Sequence, residues 1–536
     1  MPPHGGKPRH WSSRAGAEVT YGDVVNRARG TASAICALLA VSALAPAASA
    51  APAPSTATPA RTATAAYPAE LASYYTQRLD WSRCDEGLQC TWLTVPRDYA
   101  NPSGPTFRLR VSRTVASGPA AKRQGSLVVN PGGPGASGLD FPAYIAAAIA
   151  PKVATEFDIV GFDTRGVGKS EPVTCMTGRQ TTTWLRADAS PDTLAEQKRL
   201  MSLAARLAQG CLDKSPTIAR HLGSVETVRD MDILREAIGD ERLNFLGYSY
   251  GTFLGTLYAE RFPGNVGRFV LDGALDPSLD IMQVSKGQSD GFQLAMTRFA
   301  RDCTSYRSCP WSGSAKNVLR GINAILAKVD RRPLPTESGR PLVQAEALSA
   351  LFYAMYSPSL WPTLRQALAQ AKIGDGYGLQ SVADYAVERT GPNTYATNMA
   401  SAFPAIACWD APPAPGIDGL RASAAAWSKG ARVPDMARAM SWGNAPCSQW
   451  FGHSGRVPAP ASTTTTSPIL VIGTTYDPAT PYKWSKALAR QLPTSTLLTF
   501  RGDGHTAFGG NSRCIDDAVN EYLLKGTPPP AGTVCR

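Results

Sequence analysis

Asn244-Phe245-Leu246-Gly247-Tyr248-Ser249-Tyr250-Gly251-Thr252 is the stretch from which the rest of the chain is read. Residues 243–246 are an apolar run that reads as a buried strand. Phe253-Leu254-Gly255-Thr256-Leu257-Tyr258-Ala259 reads as a helix, and Gly-x-Ser-x-Gly stands between the two. In that setting the serine occupies a sharp turn with strained backbone, and Gly247 and Gly251 are required because a Cβ at either position would clash. The hydroxyl then stands at the carboxyl edge of a sheet. It sits above a helix N-terminus whose unpaired N–H groups favour developing negative charge. A bare Gly-x-Ser-x-Gly is common by chance, and an ordinary Gly-rich strand–helix connection is the alternative; the flanking pattern gives the motif its weight.

Working outward, Ser126-Leu127-Val128-Val129 is a continuous apolar strand of the kind a parallel sheet buries on both faces. It runs into Asn130-Pro131-Gly132-Gly133-Pro134-Gly135-Ala136-Ser137-Gly138, where four glycines and two prolines mark a loop whose backbone approaches something closely. Phe157-Asp158-Ile159-Val160-Gly161-Phe162 is the next strand. Asp163 and Arg165 in the polar turn after it are expected to pair and brace it. Residues 171–223 read as an irregular excursion tied by Cys175 and Cys211. Val225, Val228, Met231, Leu234 and Ile238 share one helical face, with Ser224 as N-cap and Gly239 as stop. Arg268-Phe269-Val270-Leu271-Asp272-Gly273 is a further buried strand. Strands alternating with helices in this way indicate an α/β doubly wound sheet. Residues 91–95 and 107–115 alternate and should form an antiparallel edge before it. From residue 279 to 466 the strand rhythm gives way to helical patterns, read as a lid over the carboxyl edge. The sheet resumes with Pro468-Ile469-Leu470-Val471-Ile472-Gly473 and closes with a strand over residues 495–500.

An acyl-transfer serine needs a base to take its proton and an acid to orient that base. His505 follows the last strand directly, in Gly502-Asp503-Gly504-His505-Thr506, and is the best base; His221 and His453 read as surface or packing histidines. Asp477 follows the preceding strand and is the natural orienter, with Asp503 as its competitor. Ser249, Asp477, His505 is the chain order of the α/β-hydrolase triad, and each member ends a strand, where sites form in such sheets. The oxyanion donors expected are the N–H of Tyr250 and one from the Gly132–Gly133 turn.

Bulk properties narrow the setting. The 536 residues carry a formal charge of +12. Arg27 and Arg29 precede an apolar run at residues 32–44, and Ala48-Ser49-Ala50 fits a cleavage site, so residues 1–50 read as a secretory signal peptide. Residues 51–66, rich in Ala, Pro and Thr, read as a disordered linker or pro-segment. Removing the leader leaves a charge of about +9 with no basic block, which does not argue for nucleic acid. No stretch is long enough to span or anchor in a membrane. Ten cysteines remain, an even number in an exported chain. Sequence proximity pairs them as Cys84–Cys90, Cys175–Cys211, Cys303–Cys309, Cys408–Cys447 and Cys514–Cys535. No Cys-x-x-Cys occurs and only three histidines lie beyond the leader, so neither a metal site nor a cofactor is expected.

Asn-Pro-Gly-Gly-Pro-Gly, Phe-Asp-Thr-Arg-Gly-Val-Gly-Lys-Ser, Gly-Tyr-Ser-Tyr-Gly-Thr, Tyr-Asp-Pro-Ala-Thr-Pro and Gly-His-Thr together resemble the secreted tripeptidyl aminopeptidases of streptomycetes, in the prolyl-aminopeptidase group of α/β-hydrolases. The resemblance covers nearly the whole chain after the leader. It implies a Ser-Asp-His exopeptidase that releases short peptides from the free N-termini of peptides or proteins; the patterning of the residues sets the α/β-hydrolase core at 67–278 and 467–536 and the helical lid at 279–466, and a monomer is expected. Carried over position by position, it makes Ser249, Asp477 and His505 the triad and the Gly132–Gly133 loop the oxyanion hole. A protonated α-amine needs a lid carboxylate, for which Asp410 is the candidate; a lid salt bridge is the alternative role. The resemblance places a Glu before Cys408, and Ala407 stands there instead. An esterase using the same triad, and an inactive binding protein on the same fold, remain the competing readings.

Overall fold

The computed structural model describes residues 67–85, 87–465 and 467–536. The signal peptide expected at 1–50 and the linker at 51–66 lie outside the described residues. The strands are β1 (Ser82–Asp85), β2 (Leu88–Pro96), β3 (Thr106–Thr114), β4 (Gly125–Asn130), β5 (Phe157–Phe162), β6 (Leu243–Tyr248), β7 (Val266–Asp272), β8 (Arg389–Gly391), β9 (Thr394–Tyr395), β10 (Ile469–Tyr476), β11 (Ser495–Asp503) and β12 (Val534–Cys535). Ten of them form one sheet in the order β1-β2-β3-β5-β4-β6-β7-β10-β11-β12, and β8 and β9 form a separate two-stranded sheet among the described residues. The pairings β1/β2, β2/β3 and β3/β5 are antiparallel, and the rest of the sheet is parallel.

Chain periodicity explains the layering. In β4, Val128 faces one side, with Phe245, Phe269 and Val471; Leu127 and Val129 face the other, with Leu246, Val270 and Leu470. Helices Ser224–Ala237 and Tyr250–Arg261 cover the first face, and Phe141–Ala148 and Arg513–Lys525 the second. Burial on both faces is why these strands read as unbroken apolar runs. β2 instead alternates, with Leu93 and Val95 buried and Trp92 outside, stacked against Arg108 and Arg110 of β3. β4 continues to β5 on one side, and the chain then crosses back to β6 on the other. The carboxyl ends of β4 and β6 therefore flank the crevice where open α/β sheets place their sites.

Several expectations change. Residues 171–223 are helical, as Gly178–Leu185 and Leu194–Lys214, each opened by a capping box: Thr177 with Gln180, and Thr193 with Glu196. Leu200 and Ala204 of the second helix pack with Leu420, Ala424 and Trp442, so this excursion joins the helices that follow β7. Arg165 does not pair with Asp163. Its guanidinium grips Asp230 of helix Ser224–Ala237 at 2.5 and 2.7 Å, both side chains fully buried. Asp163 instead accepts the Ser137 hydroxyl and the N–H groups of Gly138 and Lys169. Gly223, not Ser224, is the N-cap of that helix, which frees the Ser224 hydroxyl for another contact.

Between β7 and β10 the helices from Ile281–Cys303 to Ala445–Ser448 build a core of their own around Phe292, Phe299, Ile322, Leu351 and Trp361, with the β8–β9 hairpin among them. The disulfides are Cys84–Cys90, Cys175–Cys211, Cys303–Cys309, Cys408–Cys447 and Cys514–Cys535. The first ties edge strand β1 to β2, and the last ties edge strand β12 to helix Arg513–Lys525. No helix among the described residues is long and apolar enough to cross a membrane.

Candidate active site

Ser249 sits between β6 and helix Tyr250–Arg261 at φ 53°, ψ −120°. A non-glycine residue held there is strained and needs its surroundings to keep it so. Those surroundings are close. The Ser249 N–H donates to the Asp272 carbonyl at 2.9 Å, and the Thr252 hydroxyl donates to the Ser249 carbonyl at 2.6 Å. A Cβ on Gly247 would lie 2.5 Å from the Gly251 carbonyl oxygen, and one on Gly251 would lie 2.8 Å from Asn130 Oδ1.

The loop after β4 packs onto this turn. Gly132, at φ 96°, leaves no room for a side chain: a Cβ would fall 2.6 Å from the Tyr248 carbonyl oxygen and 3.0 Å from Ser249 Cβ. The Gly132 N–H donates to Asn130 Oδ1 at 3.0 Å, which corrects its expected place among the oxyanion donors. The N–H groups of Gly133 and Tyr250 have no hydrogen-bond partner among the described residues, and both residues line the cavity beside Ser249.

Asp477 follows β10 and is buried. Its Oδ1 accepts the N–H groups of Ala479 and Thr480 at 2.9 and 2.8 Å; its Oδ2 accepts the Thr480 hydroxyl at 3.0 Å and the Thr506 N–H at 3.3 Å. Both oxygens lie 2.9 Å from His505 Nδ1. The bond to this carboxylate fixes the Nδ1–H tautomer of the imidazole. His505 Nε2 is buried with no hydrogen-bond partner among the described residues. Burial alone would lower the His505 pKa. The charge and hydrogen bond of Asp477, with Asp272 behind them, outweigh that and hold it above the usual 6.5. Tyr356, after helix Gln344–Met355, accepts the His505 N–H through its carbonyl at 2.8 Å and sets its ring edge-on at 5.2 Å.

The other candidates are elsewhere. Asp503 pairs with Arg298, Nη2 to Oδ2 at 2.7 Å. His453 is exposed and accepts the Gly455 N–H, and His221 is half-buried near Asp98, Arg97, Arg165 and Arg220, away from Asp477. Thr480, which reaches both Asp477 and His505 Nδ1 (3.3 Å), was missed by sequence reasoning; Asp-Pro-Ala-Thr-Pro signalled only a turn. Asp272 was missed as well, because an aspartate closing an apolar strand reads simply as its end.

A cavity of about 550 Å³ opens on Ser249. Its wall is largely apolar, with Trp184, Phe253, Phe292, Phe352, Phe403 and Met440. Three carboxylates line it, Asp276, Asp280 and Asp410, against Arg456 as its one cationic side chain among the described residues. Asp410 ends helix Met399–Asp410, and its oxygens are engaged. Oδ1 accepts the Ser224 N–H at 2.7 Å; Oδ2 accepts the Ser224 hydroxyl and, at 3.4 Å, the Tyr250 phenol. Burial pushes this carboxyl up to about 6, against the bonds from Ser224. Ala407 lines the same cavity.

A family model described as "alpha/beta hydrolase fold" matches residues 125–511. The chain belongs to the alpha/beta hydrolase fold family. Within it, the chain is 34% identical over 484 residues to "Serine protease Hip1" of Mycobacterium tuberculosis, covering 86% of this chain and 91% of that one. It is 35% identical over 479 residues to "Carboxylesterase B" of the same species, covering 85% and 89%. It is 32% identical over 480 residues to "Tripeptidyl aminopeptidase" of Streptomyces lividans, covering 85% and 86%.

Proposed function

We propose that this hydrolase-fold chain is an exported serine exopeptidase that releases short peptides from free N-termini through an acyl-enzyme. The observation that carries the reading is the Asp477–His505 pair, whose outer nitrogen is buried with no partner among the described residues, together with the strained Ser249, which lines the cavity beside Thr480. Ser249 Oγ attacks the scissile carbonyl as its proton passes to His505 Nε2, and Asp477 holds the imidazolium at Nδ1. The N–H groups of Gly133 and Tyr250 receive the oxyanion. The proton on His505 then goes to the leaving amine. Water, deprotonated by His505, hydrolyses the acyl-enzyme. The relatives named as a serine protease and a tripeptidyl aminopeptidase support peptides as substrate. The apolar wall suits apolar side chains near the scissile bond. The acidic side chains suit a free ammonium, with Asp410 contributing the acceptor capacity that Ser224 and Tyr250 leave on it. Five disulfides and the leader sequence support export, and the chain acts as a monomer.

The relative named a carboxylesterase favours a second reading, the same chemistry on a non-peptide acyl ester. Chromogenic di- and tripeptide anilides with free N-termini, the same peptides acetylated, and a short acyl ester separate the two. Cleavage restricted to free-amine peptides is the expected result; cleavage of the ester alone would leave the esterase reading.

A further inference from the structure

At the carboxyl end of β7 lies a carboxylate that the mechanism above does not use. Asp272 is completely buried. Its Oδ2 accepts the N–H groups of Ala507 and Phe508 at 2.9 and 2.8 Å, in the loop that carries His505. Its main-chain carbonyl holds the Ser249 N–H at 2.9 Å. The next residue, Gly273, abuts the imidazole, since a Cβ there would lie 3.2 Å from His505 Cε1. Asp272 Oδ1 is buried with no hydrogen-bond partner among the described residues.

The loop it grips needs holding. Thr506 is at φ 68°, an unfavourable conformation for a β-branched residue. The Tyr248 phenol donates to the Phe508 carbonyl at 2.8 Å, and the Tyr356 carbonyl takes the His505 N–H, so Asp272 is one of several clamps. A clamp needs only a neutral acceptor. An ionisable group with one oxygen unsatisfied is a costly way to supply one, so the acid in place of an amide points to a use for its charge.

On the footing of the serine-hydrolase reading, we propose that Asp272 is a positioning residue for His505: it anchors the base's loop and its negative charge, with that of Asp477, stabilises the imidazolium formed when Ser249 is deprotonated. No proton moves to Asp272. The Ser249 proton stays on His505 Nε2 until the leaving group takes it. The titratable groups facing Asp272 are His505 after β11, Asp477 after β10 and Tyr248 at the end of β6. Burial pushes Asp272 up to about 7, opposed by the N–H groups of Phe508 and Ala507 and by His505, with Asp477 adding to the rise.

Asp272→Asn keeps an acceptor for both N–H groups and removes the charge. The expected result is a fall in kcat of about tenfold or more at little change in KM, with the acid limb of kcat/KM moved to lower pH because His505 has lost a neighbour that raises its pKa. An unchanged kcat and acid limb would overturn the proposal and leave Asp272 a neutral clamp. The imidazole of His505 can also be titrated by NMR without turnover, which separates this proposal from the hydrolase reading. A lower His505 midpoint in the variant supports the charge role, and an equal one refutes it. Should the variant not fold, the wild-type titration decides. Two coupled steps on the His505 resonance support the proposal, and a single step overturns it.

Discussion

Gly132 is where the loop after β4 touches the nucleophile turn, and Gly132→Ala probes that contact in isolation. At φ 96° the alanine backbone is strained by about 1–3 kcal/mol before any contact is counted. Its Cβ would then meet the Tyr248 carbonyl oxygen at 2.6 Å, where ordinary contact begins at 3.4 Å. Both partners are backbone, so loop and elbow must separate by most of an ångström. Misplacement on that scale costs about 10²-fold in rate, equivalent to about 2.7 kcal/mol of transition-state stabilisation. The expected outcome is therefore a loss of about 10²-fold in kcat/KM on a chromogenic substrate, together with a lowered melting temperature. Gly532→Ala is the control. It has φ 81° but nothing within 4 Å of the added Cβ, so it should lower stability without touching rate. Equal kcat/KM for wild type and Gly132→Ala would refute the close approach and, with it, the placing of Gly133 beside the reacting carbonyl.

Asp477→Asn should leave the fold intact and lower kcat by about 10⁴, because an amide stabilises the wrong tautomer of His505; steady-state kinetics with a melting curve check it. Activity should rise with pH through a midpoint above 6.5, the ordinary value from which His505 is raised. Stability runs the other way. The raised imidazole contributes stability that is complete below about 6.5 and is lost as the pH climbs through its folded value. Asp272, lifted to about 7 from an ordinary 3.8, likewise binds a proton that the unfolded chain releases. Stability should thus fall between about pH 4 and pH 7, by on the order of 4 kcal/mol for a shift of that size. Melting temperatures of Ser249→Ala at pH 5 and pH 8 check this, and adding Asp272→Asn should flatten the dependence. Removing Cys408–Cys447, whose cysteines are 39 residues apart, should cost about 4 kcal/mol against about 2 for Cys303–Cys309, at a separation of 6, as denaturant melts would show.

What was legible in the sequence is what is local. The strand, turn and helix around Ser249 are contiguous, and the apolar runs of β4, β5, β7 and β10 announce a sheet buried on both faces. Asp477 and His505 stand directly after or at the end of strands, so topology alone brings them to one edge. Long-range partners were not legible. Arg165 finds Asp230, 65 residues away, where the nearer Asp163 was expected. Asp410 meets Ser224 and Tyr250 across 186 and 160 residues. Glycine content marked a close approach after β4 but could not tell which N–H Asn130 would occupy. The helices within 171–223 are a different kind of miss. Thr177 with Gln180 and Thr193 with Glu196 wrote their starts in plain spacing, and Leu200, Ala204, Leu207 and Cys211 of the second recur at helical spacing, so both signals were present in the sequence and went unread.

The central claim is that Ser249 forms a covalent acyl-enzyme. The direct measurement is mass spectrometry of the mature protein after treatment with an organophosphorus fluoride, run beside Ser249→Ala. The account predicts one adduct, on the peptide containing Ser249, with loss of turnover in proportion to labelling and neither labelling nor turnover in the variant. An adduct on another residue, or turnover by Ser249→Ala near that of the wild type, would contradict it.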